Sequence, residues 1–222
     1  MLVIRSGRSR NQTSSQQSND YRLVFLTHVH QLLNLGYNRM KKYDYSNQEE
    51  TAITGDLVKY IDEVLDYREH GWMQRYSVHD DPAVNDGRRK GSSRKRIDIR
   101  IDSSVTIPRT RFSFEAKRLN KTHSVSVYLG LEGLGCFLGG EYAAHDDSAG
   151  MLGYIQAGTV LKWAQKIEDK LAKEHTKYMV LKDAFFRRHA FKNGPSDIYH
   201  SGHARSSGKG DIENYHTLLV FC

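Results

Sequence analysis

Hydrophobic and polar residues alternate in two short segments near the middle of the chain. In segment 97–101, Ile97, Ile99 and Ile101 fall on one face of an extended strand and Asp98 on the other. A strand with this period usually buries its hydrophobic face against a core. The pattern therefore predicts a strand that presents Asp98 opposite its isoleucines.

The next strand pattern has the same period of two. Phe112, Phe114 and Ala116 share the predicted core face, while Glu115 and Lys117 lie on the opposite face. Unpaired charge on a covered sheet face is costly to desolvate, so a divalent cation is a natural partner for acids placed in this way.

Spacings of three and four between hydrophobic residues predict helices on either side of these strands. Segment 21–35 predicts a first helix that ends at Gly36. A second helix is predicted from 47 to 67, with Asn47 as its N-cap. The longest helical pattern runs from 151 to 173.

Shorter hydrophobic runs predict further strands at 72–78, 176–182 and 215–221. Segment 124–129 fits either a short strand or the approach to a helix. Polar residues between 194 and 210 predict a loop. The alternation of helices and strands predicts an α/β fold.

Length and composition favour one soluble domain. The chain has 222 residues, of which 38% are hydrophobic, and no apolar run approaches the roughly 20 residues of a membrane helix. Segment 6–20 has almost no apolar residues, so we expect a flexible basic N-terminal arm at 1–20 and a single domain at 21–222. Two cysteines exclude a disulfide framework and a cysteine-rich zinc module, and a cytoplasmic location is expected.

A net charge of +7 favours an anionic partner, most commonly nucleic acid. Basic residues cluster between the first two central strands, at Arg88, Arg89, Lys90, Arg94, Lys95 and Arg96. Such a cluster would neutralise backbone phosphates without reading base sequence, and a solubilising turn is the alternative. In the predicted loop 194–210, His203 and Arg205 are further candidates for phosphate contact.

The predicted order of helix, three strands, helix and strand, with Asp98 on the second strand and Glu115-Ala116-Lys117 on the third, resembles the PD-(D/E)XK nuclease superfamily. The resemblance covers about residues 47–182 and rests on a short motif in a predicted context. Ile97 stands where the family name has proline, a position that carries no chemistry. The resemblance implies a restriction-endonuclease-like core, in which helices flank a mixed central β-sheet.

The resemblance also implies roles for the motif residues. Asp98 and Glu115 offer hard oxygen ligands that suit Mg²⁺, with Mn²⁺ as a substitute, and the Ala116 carbonyl is a further ligand in the family. Lys117 would polarise the attacking water or stabilise developing charge.

A third acid often comes from the preceding helix in this superfamily. Glu50 lies on the packed side of the predicted helix and is preferred over Glu49, which is turned partly away. Both acids are also ordinary residues for a first helical turn. On the predicted long helix, Gln156 matches a glutamine that related nucleases use to orient water or the scissile phosphate; a solvent-bonded polar residue is the alternative.

Histidine pairs raise the question of zinc, but none of their spacings matches a helical zinc motif or a zinc finger. The expected function is therefore a Mg²⁺-dependent endonuclease acting on DNA. By analogy with the family alone, it would serve bacterial restriction or anti-phage defence.

Two alternatives stay open. One is a non-catalytic nucleic-acid-binding or assembly subunit with the same fold, and the other is a nuclease that cleaves RNA. A partner subunit that gates cleavage, such as an ATPase or a sensor, is compatible with the sequence, as is a homo-oligomer. No membrane partner is expected.

Overall fold

The structure is a computed structural model and describes residues 10–84, 89–206 and 208–222. These residues form both helices and strands. In chain order the elements are α1 (Arg10–Met40), α2 (Glu50–Tyr67), β1 (Tyr76–Asp80), β2 (Ile99–Ser103), β3 (Thr110–Leu119), α3 (Val125–Tyr128), α4 (Leu134–Leu138), β4 (Ser148–Ile155), α5 (Val160–Lys173), β5 (Arg187–His189), β6 (Ile198–His203) and β7 (Ile212–Val220).

The strands form one mixed sheet in the order β1-β2-β3-β4-β7-β6-β5. The first three strands form an antiparallel meander. β4 is parallel to both β3 and β7, and the short helices α3 and α4 lie in the crossover from β3 to β4. The prediction of an α/β fold with a mixed sheet flanked by helices is confirmed.

Two hydrophobic cores lie on opposite faces of the sheet. Along β4, Leu152 and Tyr154 belong to the first core, whereas Met151 and Ile155 belong to the second, as the alternation of a strand requires. α1 and α2 cover the first core, which also holds Ile53, Leu57, Ile99, Ile101, Phe112 and Phe114. The second core is covered by α3, α4 and α5.

The predicted helix 151–173 is wrong in its first part, because β4 occupies this region as far as Ile155 and α5 begins at Val160. β4 is buried on both faces, so its hydrophobic run carries no period of two. At Gly150 an added Cβ would lie 2.2 Å from Cδ1 of Phe114, so the close approach of β4 to β3 requires glycine. Thr159 caps α5 by accepting a hydrogen bond from the backbone N–H of Lys162.

The first two helices differ from the prediction at their ends. α1 begins at Arg10, so the residues from 10 to 20 that were predicted as an arm are helical, and it continues past Gly36 to Met40. Gly36 lies within the helix, where α1 packs closely on α2: an added Cβ would lie 2.6 Å from Cγ1 of Ile61. Glu49, and not Asn47, is the N-cap residue of α2.

Other boundaries also shift. β1 begins at 76, after a single 3₁₀ turn, and 124–129 contains the short helix α3, which Ser124 caps. Segment 176–182 is not a strand; it contributes one isolated bridge, from Val180 to His203.

The predicted loop 194–210 contains β6. This strand was missed because the side chains that it buries include His200, Ser201 and His203, which are polar. The predicted strand at 215–221 is confirmed, as part of β7.

Among the residues that the structure describes, no helix has the length and apolar character needed to cross a membrane.

Candidate active site

The site forms where β2 leaves one edge of β3 uncovered. β2 pairs with β3 from Ser103 opposite Thr110 to Ile99 opposite Phe114, and there β2 begins. The next position in this register sets Asp98 opposite Glu115. Beyond it, β3 continues to 119 beside β4 alone.

Two carboxylates satisfy the backbone of this uncovered edge. Oδ2 of Asp98 accepts a hydrogen bond of 2.6 Å from the backbone N–H of Ala116. Oε2 of Glu50 accepts one of 2.9 Å from the backbone N–H of Arg118. Buried N–H groups need partners, so these acids stand in for the strand that is missing here.

The ammonium of Lys117 joins the remaining oxygens of the site. Its Nζ lies 2.8 Å from Oε1 of Glu115, 3.0 Å from Oε1 of Glu50 and 2.7 Å from the carbonyl oxygen of Ala116. The structure thus brings together four of the predicted residues, Glu50, Glu115, Ala116 and Lys117, with Asp98 on the neighbouring N–H.

The sequence pattern predicted that Ile97 shares a face with Ile99 and Ile101, and this prediction is wrong. Ile99 and Ile101 lie in the first core, whereas Ile97 lies in the second. β2 begins at Ile99, so the period of two does not extend back to 97. Asp98 therefore lies just before the strand, where its carboxylate can turn toward the edge of β3.

The start of α2 places Glu50 in the site. Ile53, Leu57 and Ile61 anchor the helix in the first core, and Oγ1 of Thr54 lies 3.0 Å from the hydroxyl of Tyr154 on β4. Glu50 is the first residue of this helix, so it projects beyond the core toward Lys117.

Glu49 faces away from this cluster. It pairs with the guanidinium of Arg118 at 2.6 Å, and its side chain is 73% exposed. The two adjacent acids therefore have different environments, and Glu50 is the one that meets Glu115 through Lys117.

Gln156 lies directly after β4 and not on a helix, which corrects the sequence-based placement. Its Nε2 donates hydrogen bonds of 2.8 Å to the carbonyl oxygens of Tyr45 and Gln48, and its Oε1 accepts one of 3.0 Å from Asn120. Gln156 thus fixes the loop before α2 to the end of the sheet. Its role in orienting water or the scissile phosphate stays a prediction.

Asn120, Tyr45 and Gln48 were not identified from the sequence. Tyr45 and Gln48 contribute backbone carbonyl oxygens to this tie, and backbone groups leave no mark in the side-chain pattern.

Burial dominates the electrostatics of the site. Burial, followed by the nearby carboxylate of Asp98, raises the pKa of Glu115 to about 8, against the opposing effect of the Lys117 ammonium. Burial likewise raises the pKa of Asp98, against the hydrogen bond from Ala116. For Lys117, burial lowers the pKa, but Glu115 and Glu50 outweigh it, so the net pKa is raised and the amine stays charged.

The donor set fits a divalent cation in its chemistry. Three carboxylates and one ammonium leave a formal excess of two negative charges when all are ionised. Oε2 of Glu115 is buried and has no hydrogen-bond partner among the described residues. Mg²⁺ prefers such oxygen ligands, and a cation would satisfy both the charge and the unpaired oxygen.

The described residues do not form a ready-made metal site, because no three His, Cys, Asp or Glu side chains among them converge on one point. The ammonium of Lys117 lies between the carboxylates of Glu50 and Glu115. Binding of a cation by these oxygens requires Lys117 to turn away from at least one of them.

Three of the six residues of the predicted phosphate-binding cluster are ion-paired with described residues. Lys95 pairs with Glu141, which also lies 3.8 Å from Arg89, and Arg96 pairs with Asp81. Those three cations are partly neutralised within the fold.

The other members of the cluster differ. Lys90 is exposed, and Nε of Arg94 donates to the carbonyl oxygen of Gly91 at 3.3 Å. Arg88 lies outside the described residues.

His203 and Arg205 do not lie on an exposed loop, which corrects the prediction that they contact phosphate. His203 is fully buried, with Nδ1 donating to the carbonyl oxygen of Tyr178 at 2.7 Å. Arg205 is also buried, and its guanidinium donates to the backbone carbonyl oxygens of Ala143 and Asp146. Both side chains therefore stabilise the fold through hydrogen bonds to backbone carbonyl oxygens.

A serine, a histidine and an aspartate also meet on β1 and β2, away from this site. Nε2 of His79 lies 3.3 Å from Oγ of Ser77 and 3.5 Å from Oδ2 of Asp102. A Ser-His-Asp relay uses the two different ring nitrogens of histidine. Here one nitrogen makes both contacts, so the arrangement is not a catalytic triad.

Comparisons with protein-family models, with curated proteins and with solved structures found no match.

Proposed function

We propose that this chain is a Mg²⁺-dependent nuclease that hydrolyses phosphodiester bonds in DNA. One observation carries the proposal. Glu50, Asp98 and Glu115, from three separate segments, meet Lys117 at the uncovered edge of β3. Raised pKa values at neighbouring acids, as at Asp98 and Glu115, are a feature of catalytic sites.

The topology around the site supports the same proposal. A helix, α2, precedes an antiparallel meander of three strands, and a crossover then leads to β4, which is parallel to β3. This order is the one that the resemblance to PD-(D/E)XK nucleases implies. Glu115 and Lys117 lie on β3 and Glu50 at the start of α2, while Asp98 lies directly before β2 and not on the strand where the resemblance places it.

The residues that would hold the metal are Glu50, Asp98, Glu115 and the carbonyl oxygen of Ala116. When bound, Mg²⁺ would supply charge neutralisation at the phosphoryl oxygens and help to activate water. Because its pKa is raised, Lys117 carries a proton at Nζ, so it serves as a hydrogen-bond donor and a positive charge. In this role it stabilises charge on the phosphoryl group and does not accept a proton from water.

The ion pairs of Lys117 also favour a second candidate function. If Lys117 stays between Glu50 and Glu115, it neutralises them without any metal. The chain would then be a non-catalytic nucleic-acid-binding or assembly subunit. Cleavage of RNA and a role in bacterial restriction or anti-phage defence rest on the resemblance alone.

A cleavage assay separates these functions. Supercoiled plasmid and labelled DNA and RNA oligonucleotides, both single-stranded and duplex, are incubated with Mg²⁺, Mn²⁺ or EDTA. The nuclease proposal expects metal-dependent cleavage that Asp98→Asn, Glu115→Gln and Lys117→Met reduce by at least about 100-fold. Glu49→Gln is the matched control, since Glu49 is exposed beside Glu50. Cleavage that survives in Asp98→Asn and Glu115→Gln would rule out this site.

A further inference from the structure

A cleft of about 530 Å³ opens beside the candidate active site. Its walls come from the end of β3, the start of α3 and the start of α5, and they include Asn120, Lys121, Ser124, Lys162, Trp163 and Lys166. Asn120 joins the cleft to the site, because its Nδ2 also donates to Oε1 of Gln156. The cleft therefore begins directly beyond the strand segment that carries Glu115 and Lys117.

The lining of this cleft is positively charged and contains no acid. Lys121, Lys162 and Lys166, all exposed, line the cleft, and no Asp or Glu is among the described residues that line it. None of these lysines forms an ion pair with a described residue, in contrast to Lys95 and Arg96. Three unneutralised ammonium groups around one concavity favour an anionic ligand.

Trp163 forms a fixed part of the cleft wall. Its ring is 6% exposed, its Nε1 donates to the carbonyl oxygen of Ala157 at 2.8 Å, and Nζ of Lys166 lies 4.4 Å from its centroid. A ring so buried cannot stack on bases. The cation–π contact instead holds Lys166 over the cleft.

The start of α5 does not supply the binding groups by itself. The side chain of Thr159 already accepts a hydrogen bond from the N–H of Lys162, so the helix end is capped within the chain. The lysine side chains are the groups that face a ligand. Ammonium groups bind phosphate as point charges and do not distinguish bases.

We infer that the cleft lined by Lys121, Lys162 and Lys166 binds the phosphate backbone of one nucleic-acid strand next to the bond that the active site cleaves. The position of the scissile bond rests on the proposed function, whereas the binding itself does not.

Binding is measured on the full chain in EDTA, which makes the result independent of cleavage. Fluorescence anisotropy gives the affinity for labelled single-stranded and duplex oligonucleotides of DNA and RNA across about 0.05 to 0.3 M salt. The test variant is Lys121→Gln/Lys162→Gln/Lys166→Gln. The control, Lys182→Gln/Lys192→Gln/Lys209→Gln, removes the same charge at exposed lysines that do not line the cleft.

We expect the cleft variant to reduce the slope of log affinity against log salt by about 2, and to weaken binding by tens of fold near 0.1 M salt. The control should lose much less. Circular dichroism and thermal melting of both variants check that they fold. In wild type, bound oligonucleotide should protect the three cleft lysines, and not the control lysines, from acetylation.

Equal losses in the two variants, or no binding of any oligonucleotide by wild type, would overturn the inference. Selective loss in the cleft variant without metal-dependent cleavage by wild type would support the cleft and contradict the nuclease proposal. Metal-dependent cleavage that needs Asp98, together with unchanged binding by the cleft variant, would support the nuclease and overturn the cleft.

Discussion

Lys117 and Glu50 are 67 positions apart in the chain, and their side chains meet at 3.0 Å. This contact joins the first turn of α2 to β3, an interior strand of the sheet. The contact depends on the edge of β3 that β2 leaves uncovered. At this edge the second carboxylate oxygen of Glu50 accepts a hydrogen bond from the backbone N–H of Arg118. The carboxylate of Glu50 therefore accepts hydrogen bonds from both the backbone of β3 and the ammonium of Lys117.

Replacement of Glu50 should separate structure from activity. In Glu50→Gln an amide oxygen still accepts the N–H of Arg118, but the negative charge beside Lys117 is lost. We expect the free energy of unfolding to change by less than about 1 kcal/mol, because Glu50 is partly exposed. Metal-dependent cleavage should fall by at least about 100-fold, whereas Glu49→Gln keeps it. Equal activity of the two variants would contradict the role of Glu50.

Lys117→Met removes the ammonium from the carboxylates. Without Mg²⁺, and at a pH above about 8 where Glu115 is ionised, the variant should be destabilised by roughly 2 kcal/mol, because buried Glu115 loses its ion pair. Added Mg²⁺ should then raise the melting temperature of Lys117→Met more than that of wild type, since no ammonium competes for the oxygens. Thermal melts over a range of Mg²⁺ concentrations give the comparison.

Ca²⁺, which suits the same oxygen ligands, is the control for an effect that does not depend on catalysis. Identical shifts in wild type and Lys117→Met would show that Lys117 does not occupy the cation position.

Much of this site could be predicted from the sequence, because its side chains follow local periods. Alternation along β3 placed Glu115 and Lys117 on one face, and the helical wheel of α2 separated Glu50 from Glu49. Local periods do not predict the residue at which pairing between two strands ends. The hydrogen bond from Ala116 to Asp98 arises because β2 begins at Ile99, and this depends on pairing between distant segments.

The errors have a common physical cause. β4 is buried on both faces and β6 buries imidazoles and hydroxyls, so neither shows the alternation of an ordinary strand. His203 and Arg205 were assigned to the surface because charge and polarity usually lie there. In the fold, backbone carbonyl oxygens accept their hydrogen bonds and allow their burial.

Gln156→Leu should reveal the tie between the sheet and the loop before α2. The substitution keeps the side chain's approximate volume but leaves the carbonyl oxygens of Tyr45 and Gln48 without their donor. We expect a loss of about 2 kcal/mol in the free energy of unfolding, measured by urea denaturation. The apparent affinity for Mg²⁺ should weaken too, because the loop positions Glu50.

Gln156→Glu is the companion variant. It retains an acceptor for Asn120 but cannot donate to the two carbonyl oxygens. Its stability should therefore resemble that of Gln156→Leu, and a stability equal to wild type would show that the donor contacts contribute little.

Buried His30 predicts a loss of stability in acid. Burial lowers its pKa to about 3, from 6.5 for an exposed histidine, although Nδ1 donates to the carbonyl oxygen of Leu26. Between these values the unfolded chain binds the proton and the folded chain does not, so the free energy of unfolding falls as the pH drops below about 6.5. His30→Phe keeps a ring against Phe191 and removes this titration. Urea denaturation from neutral pH to about pH 4.5 should show a shallower decline for His30→Phe than for wild type. Parallel curves would mean that folding does not lower the pKa of His30 and would contradict this prediction.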